Sequence, residues 1–463
     1  MGRNESGRYP ENAGFSRHMN ELGCPEIYRP SSAVAPVPDM TAIPSSVIPL
    51  LAGTALLLVG NGLQFTLLPL RGAEEQFGAL MLGMIASAYF VGFVGGCQWA
   101  PRLVRNVGHI RVFTAAVAVA AAVSVAYALV PVAIAWVGLR LVAGFCLAAF
   151  YLVIESWLND SVDNGARGRV MSAYIGVSFG AVTLGQMLVP LYPITEAGGF
   201  MLAGVLAALA IVPVALTPSA QPARIAIVRL QPGALYRAAP VALVASFMIG
   251  VANGAFWGLA PLSTGLDVAG VAWFMTLAVL AGAVVQWPLG RLSDRFDRRL
   301  VLLPTLIAAA AVGVALWALP VSDPQLLALG CLFGAFTLPG YSLAAAHGYD
   351  KTSTGDMVSI AATILLVNAL GSVIGPLIAS PMMASLGPRS LFLFTAVVQV
   401  MLAGFVLYRT RVSQAPVAKT AFDLATTAPV VTAVGYEMVE EAAPAQQEEP
   451  QPGSGIEAAR RAA

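Results

Sequence analysis

Twelve apolar runs follow one another between residues 46 and 409, and nothing else in the chain limits its fold so strongly. They fall at 46–70, 79–100, 112–130, 133–156, 170–190, 198–217, 239–262, 267–289, 300–319, 324–346, 357–380 and 389–409. A helix rises about 1.5 Å per residue, so a hydrocarbon core of roughly 30 Å needs about 20 apolar residues. Lipid offers no partner for a backbone N–H or C=O, so runs of this length must pair internally as helices. The expected fold class is therefore all-α integral membrane, with twelve transmembrane helices. Only 11% of the residues are charged, against about a quarter in ordinary soluble domains. The formal charge of +1 says nothing about nucleic-acid or acidic partners, since in a membrane protein the placement of charges matters; no nucleic-acid partner is expected. The expected partners are the lipid bilayer and a small molecule, with the protein a monomer.

Charge placement sets the orientation, because cytoplasmic loops gather arginine and lysine. With the N-terminus inside, the 25 basic residues all fall in cytoplasmic segments except Arg71, Arg140 and Arg389. Removing or adding one helix would scramble that pattern. Both termini are thus expected in the cytoplasm, with the protein in the plasma (bacterial inner) membrane. Residues 1–45 and 411–463 are polar and read as disordered cytoplasmic ends. Residues 46–217 form one six-helix half, 218–238 a cytoplasmic linker rich in proline and arginine, and 239–410 the second half. Met40, just before the first span, is a candidate translation start that intact mass would test. The four cysteines and three histidines show no metal spacing, so neither a metal nor another cofactor is expected.

The halves repeat one another. Asn61-Gly62 and Pro69-Leu70 of span 1 recur as Asn253-Gly254 and Pro261-Leu262 of span 7. Gln98-Trp99 closing span 2 recurs as Gln286-Trp287 closing span 8, and Gly144 and Tyr151 of span 4 recur as Gly334 and Tyr341 of span 10. The pairs occur in order, 188 to 192 residues apart. Duplicated halves of this kind are a common construction in transporters.

Between spans 8 and 9 lies Gly290 to Arg299, GRLSDRFDRR, whose six charges require a short loop in water. With this segment in a twelve-span chain, the sequence resembles the major facilitator superfamily, whose loop motif is G-x-L-x-D-R-x-G-R-R; Asp297 stands in place of the last glycine. RLVAG (Arg140 to Gly144), VIES (Val153 to Ser156), RGR (Arg167 to Arg169), LGQ (Leu184 to Gln186) and QWPLGRLSD (Gln286 to Asp294) are most similar to the YcaD-like branch. The resemblance covers about residues 46–410 and implies two six-helix halves around a central cavity. It also implies that Asp294 helps to latch the cytoplasmic side by facing a helix start in the other half. A carboxylate suits that place because it satisfies exposed N–H groups and complements the helix dipole. The first-half copy, Pro101 to Ile110, has Arg105 at the aspartate position, so the latch is expected to be asymmetric. Gly290, Asp294, Arg295, Arg298, Glu155, Arg102 and Arg105 make up the expected gate. Arg298 and Arg299 also serve topology, and Glu155 is expected to pair with Arg102, Arg105 or Arg169.

Arg140 is the sharpest candidate in the spans, since a charge at that depth needs a cavity or a partner. Its spacing to Gly144 resembles the family motif R-x-x-x-G associated with proton-coupled members. It reads equally as a structural arginine and as a contact for an anionic solute or a proton site. Asn61 and Gln64 of span 1, Asn253 and Trp257 of span 7 and Asn368 of span 11 complete the expected substrate site. Their amides can hydrogen-bond a solute or simply another helix. Gly371-xxx-Gly375-Pro376 puts in span 11 a pattern that family antiporters carry in span 5. No nucleophile, acid/base pair or metal cluster suggests an enzyme. The expected function is secondary transport of a small organic solute by alternating access, with proton coupling, passive facilitation and a non-transporting receptor left open.

Overall fold

The computed structural model describes residues 44, 46–162, 164–216, 230–352, 357–412 and 422, all within the unit Ile43–Ala463. The N-terminal extension with Met40, most of the linker and nearly all of the C-terminal tail lie outside the described residues.

Among the described residues, twelve helices are long and apolar enough to cross a membrane: Ile48–Glu74, Ala79–Val107, His109–Leu129, Ala133–Asp160, Ala166–Leu191, Gly198–Ala215, Pro240–Leu262, Val268–Arg295, Arg298–Ala318, Asp323–Tyr349, Met357–Leu386 and Ser390–Val412. They are called spans 1 to 12. Span 5 ends in the 3₁₀ turn Val189–Leu191 and span 7 in Ala260–Leu262; span 10 is interrupted between Thr337 and Pro339. A short helix, Pro232–Ala238, leads into span 7. Because the number of spans is even, span 1 begins and span 12 ends on one face, called here the terminal face.

The segments expected to be loops after spans 2 and 8 are largely helical. Span 8 continues through Arg295 and span 9 starts at Arg298, leaving only Phe296 and Asp297 outside a helix. Charge requires that these turns reach water; it does not require them to unwind, since a helix pairs its own backbone. Local chemistry ends the helices instead. Asp297 caps span 9 by accepting from the Arg299 backbone N–H at 3.0 Å. Between spans 2 and 3 the turn is Gly108 alone, at φ +96°, a conformation that glycine adopts without a Cβ penalty.

The two halves use the same packing scheme. Spans 1 and 5, 2 and 4, 3 and 6, 3 and 4, and 1 and 6 pack together, and each pair has its counterpart six spans later. The sequence repeat marks the residues that make this packing close. A Cβ on Gly144 would overlap the Tyr89 carbonyl of span 2, and one on Gly334 the Ala278 carbonyl of span 8. Gly62 sits against the Val182 backbone and Gly254 against that of Ser372 in the same way. In lipid, where burial of apolar surface no longer drives helices together, such small-residue approach supplies dispersion contact.

Candidate functional site

A cavity of about 190 Å³ opens between the halves, with walls from spans 1, 2, 4, 5, 7, 8, 10 and 11. Asn61, Asn253, Trp257 and Asn368, all expected from the sequence, stand on its wall. Tyr151 and Gln286, which the repeat marked without giving them a role, stand there too. Sequence reasoning missed most of the aromatic lining, which includes Phe65, Tyr89, Phe90, Phe93 and Phe179. An aromatic residue within an apolar run carries no mark of which face it occupies, and only the helix packing decides it. Among the described residues, no charged side chain is on the wall.

The amides differ in how much bonding capacity they have already used. Asn368 donates its Nδ2 to the Ser246 carbonyl at 3.0 Å, which fixes the amide and leaves Oδ1 as the acceptor. Asn253 Oδ1 is buried without a hydrogen-bond partner among the described residues. Ser178 donates to the Tyr174 carbonyl at 2.7 Å, and Ser372 to the carbonyls of Gly250 and Asn368 at 3.1 and 3.0 Å. The hydroxyl hydrogens are thus committed to helix backbones, and lone pairs remain.

Arg140 and Gln64 lie off this wall. Gln64 donates to Ser124 Oγ at 2.8 Å, joining span 1 to span 3 inside the first half. Arg140 is 3% exposed, with its guanidinium carbon 5.0 Å from the Phe65 ring centroid and 4.7 Å from that of Tyr89. Such stacking offsets part of the cost of burying the cation. Its Nε has no hydrogen-bond partner among the described residues. Both rings also line the cavity, so Arg140 sits one aromatic layer behind it.

Close approaches between the halves are found at the ends opposite the terminal face. A Cβ on Gly83 would overlap Ser380 and the Pro376 carbonyl, and one on Gly258 would meet Ala86. The turn Ala260–Leu262 packs on span 1, and Val189–Leu191 on span 8.

On the terminal face the expected gate residues divide into two kinds. Arg102, Arg105 and Arg295 are exposed. Arg298 is 1% exposed and donates from Nε and Nη2 to the Asp350 carboxylate at 2.7 and 3.2 Å, and from Nη1 to Ser293 Oγ at 2.9 Å. Arg299 is also buried, paired with Asp297 at 2.7 Å and donating to the Arg409 carbonyl at 3.3 Å. The topological role expected for these two arginines therefore omits most of what they do: they bind span 9 to the ends of spans 10 and 12. Burial pushes the Asp297 carboxyl up, but hydrogen bonds from the Arg299 side chain and backbone N–H, with the charges of Arg299 and His347, outweigh it and hold the group below the usual carboxylate value.

Asp294 lies 3.5 Å from Arg298 and accepts the Phe422 backbone N–H at 2.8 Å. The Phe422 ring occupies the space in which a Cβ on Gly290 would lie. Glu155 is fully buried and accepts from the Tyr174 hydroxyl at 3.1 Å. Among the described residues no cluster of three His, Cys, Asp or Glu converges as a metal site would.

Comparison with known proteins agrees with this architecture. A family model described as Major Facilitator Superfamily matches residues 241–444. An uncharacterized MFS-type transporter of Yersinia pestis is 28% identical over 362 residues, covering 77% of this chain and 94% of that protein. The uncharacterized MFS-type transporter YcaD of Salmonella typhimurium is 29% identical over 366 residues with the same coverage. Among solved structures, the D323A mutant of nucleoside transporter NupG superposes with a TM-score of 0.68 at 13% identity, over 79% of this chain and all of that one. A bacterial homologue of the human lysosomal transporter Spinster, inward-facing and unoccupied, gives 0.63 at 13% identity over 79% and 96%. At such identities the structures speak to fold alone. Together with the curated relatives, they support a multi-pass membrane protein of the transporter type, similar to the major facilitator superfamily model over residues 241–444 and to MFS-type transporters such as YcaD over most of its length.

Proposed function

We propose that the protein is a secondary transporter that carries a small organic solute across the membrane by alternating access, with the inter-half cavity as its site. The observation that carries the reading is a central cavity walled by both duplicated halves, with the halves packed tightly only toward one face among the close approaches described above. Rocking of one half against the other about such a site is how duplicated transporters expose it to each side in turn. The distribution of arginines favours the terminal face as the cytoplasmic one, which makes the present arrangement closed to the outside. Asn61, Asn253, Asn368 and Trp257 are the proposed solute contacts. Arg140 acts through the rings of Phe65 and Tyr89, and Gln64 holds span 1 in place.

On the terminal face, Asp294 is the proposed mobile element of the gate. Its carboxylate is partly exposed and held by one backbone N–H and a long contact to Arg298, whereas Arg298 is fastened to Asp350. Gly290 allows close approach there, and the exposed Arg102, Arg105 and Arg295 flank the entrance, while Glu155 is buried against Tyr174. Since no carboxylate stands on the cavity wall among the described residues, coupling to protons would have to run through groups elsewhere, such as Glu155.

The test is solute flux into proteoliposomes, with and without an imposed pH gradient, for the wild type and for Asn253→Leu and Asn368→Leu. Saturable flux that both substitutions reduce at least tenfold is expected. Flux equal to that of protein-free vesicles across a broad solute panel, from protein that is monodisperse and folded, would refute transport. A gradient-independent rate would assign facilitation.

A further inference from the structure

Phe422 lies beyond the end of span 12 at Val412, yet it is packed back against the bundle on the terminal face. We infer that Phe422, docked on Gly290 and Asp294, is an internal wedge. While it is seated the two halves cannot close on the terminal face, and it must leave before the cavity can open to the other side. The inference rests on the proposed alternating access.

Both contacts of Phe422 are with span 8. Its backbone N–H donates to Asp294 Oδ1 at 2.8 Å, and its ring covers the buried Gly290 one helical turn earlier. The ring stands where a side chain at position 290 would be, so glycine leaves it that seat. The end of span 12 is close by, since Arg299 at the start of span 9 donates to the Arg409 carbonyl at 3.3 Å. Ten residues reach at most roughly 35 Å, which puts the seat well within range of Val412.

The position of the seat gives the contact its consequence. Val279 and Gln286 of span 8 line the cavity. Gly290 and Asp294 follow Gln286 at intervals of one turn, about 6 and 12 Å nearer the terminal face and rotated by about 40° and 80°. Trp287 and Arg291, turned further round the helix, are exposed. The ring therefore stands between the cavity and the terminal face, on the side of span 8 that continues the cavity wall.

The close approaches between the halves described above lie at the opposite ends of the spans. Rocking of the halves brings the terminal-face ends together in turn, and packed helices sit about 8–10 Å apart axis to axis. A bare Gly290 suits such an approach, whereas a phenyl ring lying on it holds the arriving helix off. The Asp294 oxygen that could accept from that helix is also engaged by Phe422. Seating of the ring and closure of the terminal face thus exclude one another. Because the ring belongs to the same chain, it competes at an effective concentration on the order of mM, and weak docking suffices.

Double electron–electron resonance reads the terminal-face separation without any solute. Spin labels are placed at Val107→Cys of span 2 and Leu300→Cys of span 9, both exposed, in full-length protein whose four native cysteines are replaced by alanine. With Phe422 in place the long distance is expected to dominate. Phe422→Ala, and Phe422→Asp with its charge beside Asp294, should each raise the ratio of short to long distances at least fivefold. Phe422→Tyr, which keeps the ring, should stay with the parent. A ratio that Phe422→Ala leaves unchanged or moves toward the long distance overturns the inference, as does Phe422→Tyr moving with Phe422→Ala. Flux in proteoliposomes separates the two readings. A shifted ratio in protein that moves no solute across a broad panel refutes transport and leaves the wedge standing, whereas saturable flux with an unshifted ratio refutes the wedge and leaves transport standing.

Discussion

Replacing Asp350 tests whether the terminal face is held by a buried ion pair or only decorated with charge. Arg298 and Asp350 are each 1% exposed, with contacts of 2.7 and 3.2 Å between them and a third from Arg298 to Ser293 at 2.9 Å. Asp350→Ala leaves the guanidinium buried with Ser293 and with Asp294 at 3.5 Å. Asp294 is 32% exposed, so solvent screens it and it recovers at most about 1 kcal/mol. Breaking a buried pair from one side costs about 3–5 kcal/mol, because the remaining charge is uncompensated. Asp350→Asn keeps the shape and one acceptor, so its cost falls to about 1–2 kcal/mol, the difference between charge-assisted and neutral hydrogen bonds. The double substitution Arg298→Met with Asp350→Leu removes both charges and should return to within about 1 kcal/mol of the wild type. Equilibrium unfolding in mixed detergent and SDS micelles gives all of these as a cycle. Losses that simply add in the double variant, or a cost below about 1 kcal/mol for Asp350→Ala, would refute the reasoning.

Gly144→Ala should destabilise the fold by about 1–3 kcal/mol, the usual cost of overpacking, because its Cβ would overlap the Tyr89 carbonyl, while Gly138→Ala, with nothing within 4 Å, should be silent; the same unfolding assay compares them, and equal effects would count against close span 2 and span 4 packing. Gly290→Val and Phe422→Ala should affect flux non-additively, with a coupling above about 0.5 kcal/mol, since the new side chain and the ring compete for one space; additivity would mean that they do not touch. Asp297 has a folded pKa below its unfolded value near 3.9, so its contribution is complete above that pH and is lost as pH falls through the lower folded value. The stability gap between wild type and Asp297→Asn should accordingly be constant from about pH 7 to pH 5 and shrink below about pH 4; a gap that persists at lower pH would assign the effect to shape.

Twelve spans, their pairing into halves and the branch of relatives were all legible in the sequence, since burial in lipid forces each span to declare itself as about 20 apolar residues and duplication left Asn61-Gly62 and Asn253-Gly254 in register. Asn61, Asn253, Asn368 and Trp257 were legible for the same reason: a polar or amphipathic group in an apolar run needs an explanation, and here they meet at the inter-half cavity. Tertiary structure alone decided the rest. A helix that is hydrophobic all round hides which face meets a cavity and which meets lipid, so the stacking of Phe65 and Tyr89 against Arg140, and the exclusion of Gln64 from the central wall, depend on rotation of whole helices against one another. The pairing of Arg298 with Asp350 joins residues 52 positions apart in sequence, and no local pattern marks it. Sequence placed the charges at the membrane surface because hydrocarbon excludes them; only packing determined which of them were buried as partners and which were left in water.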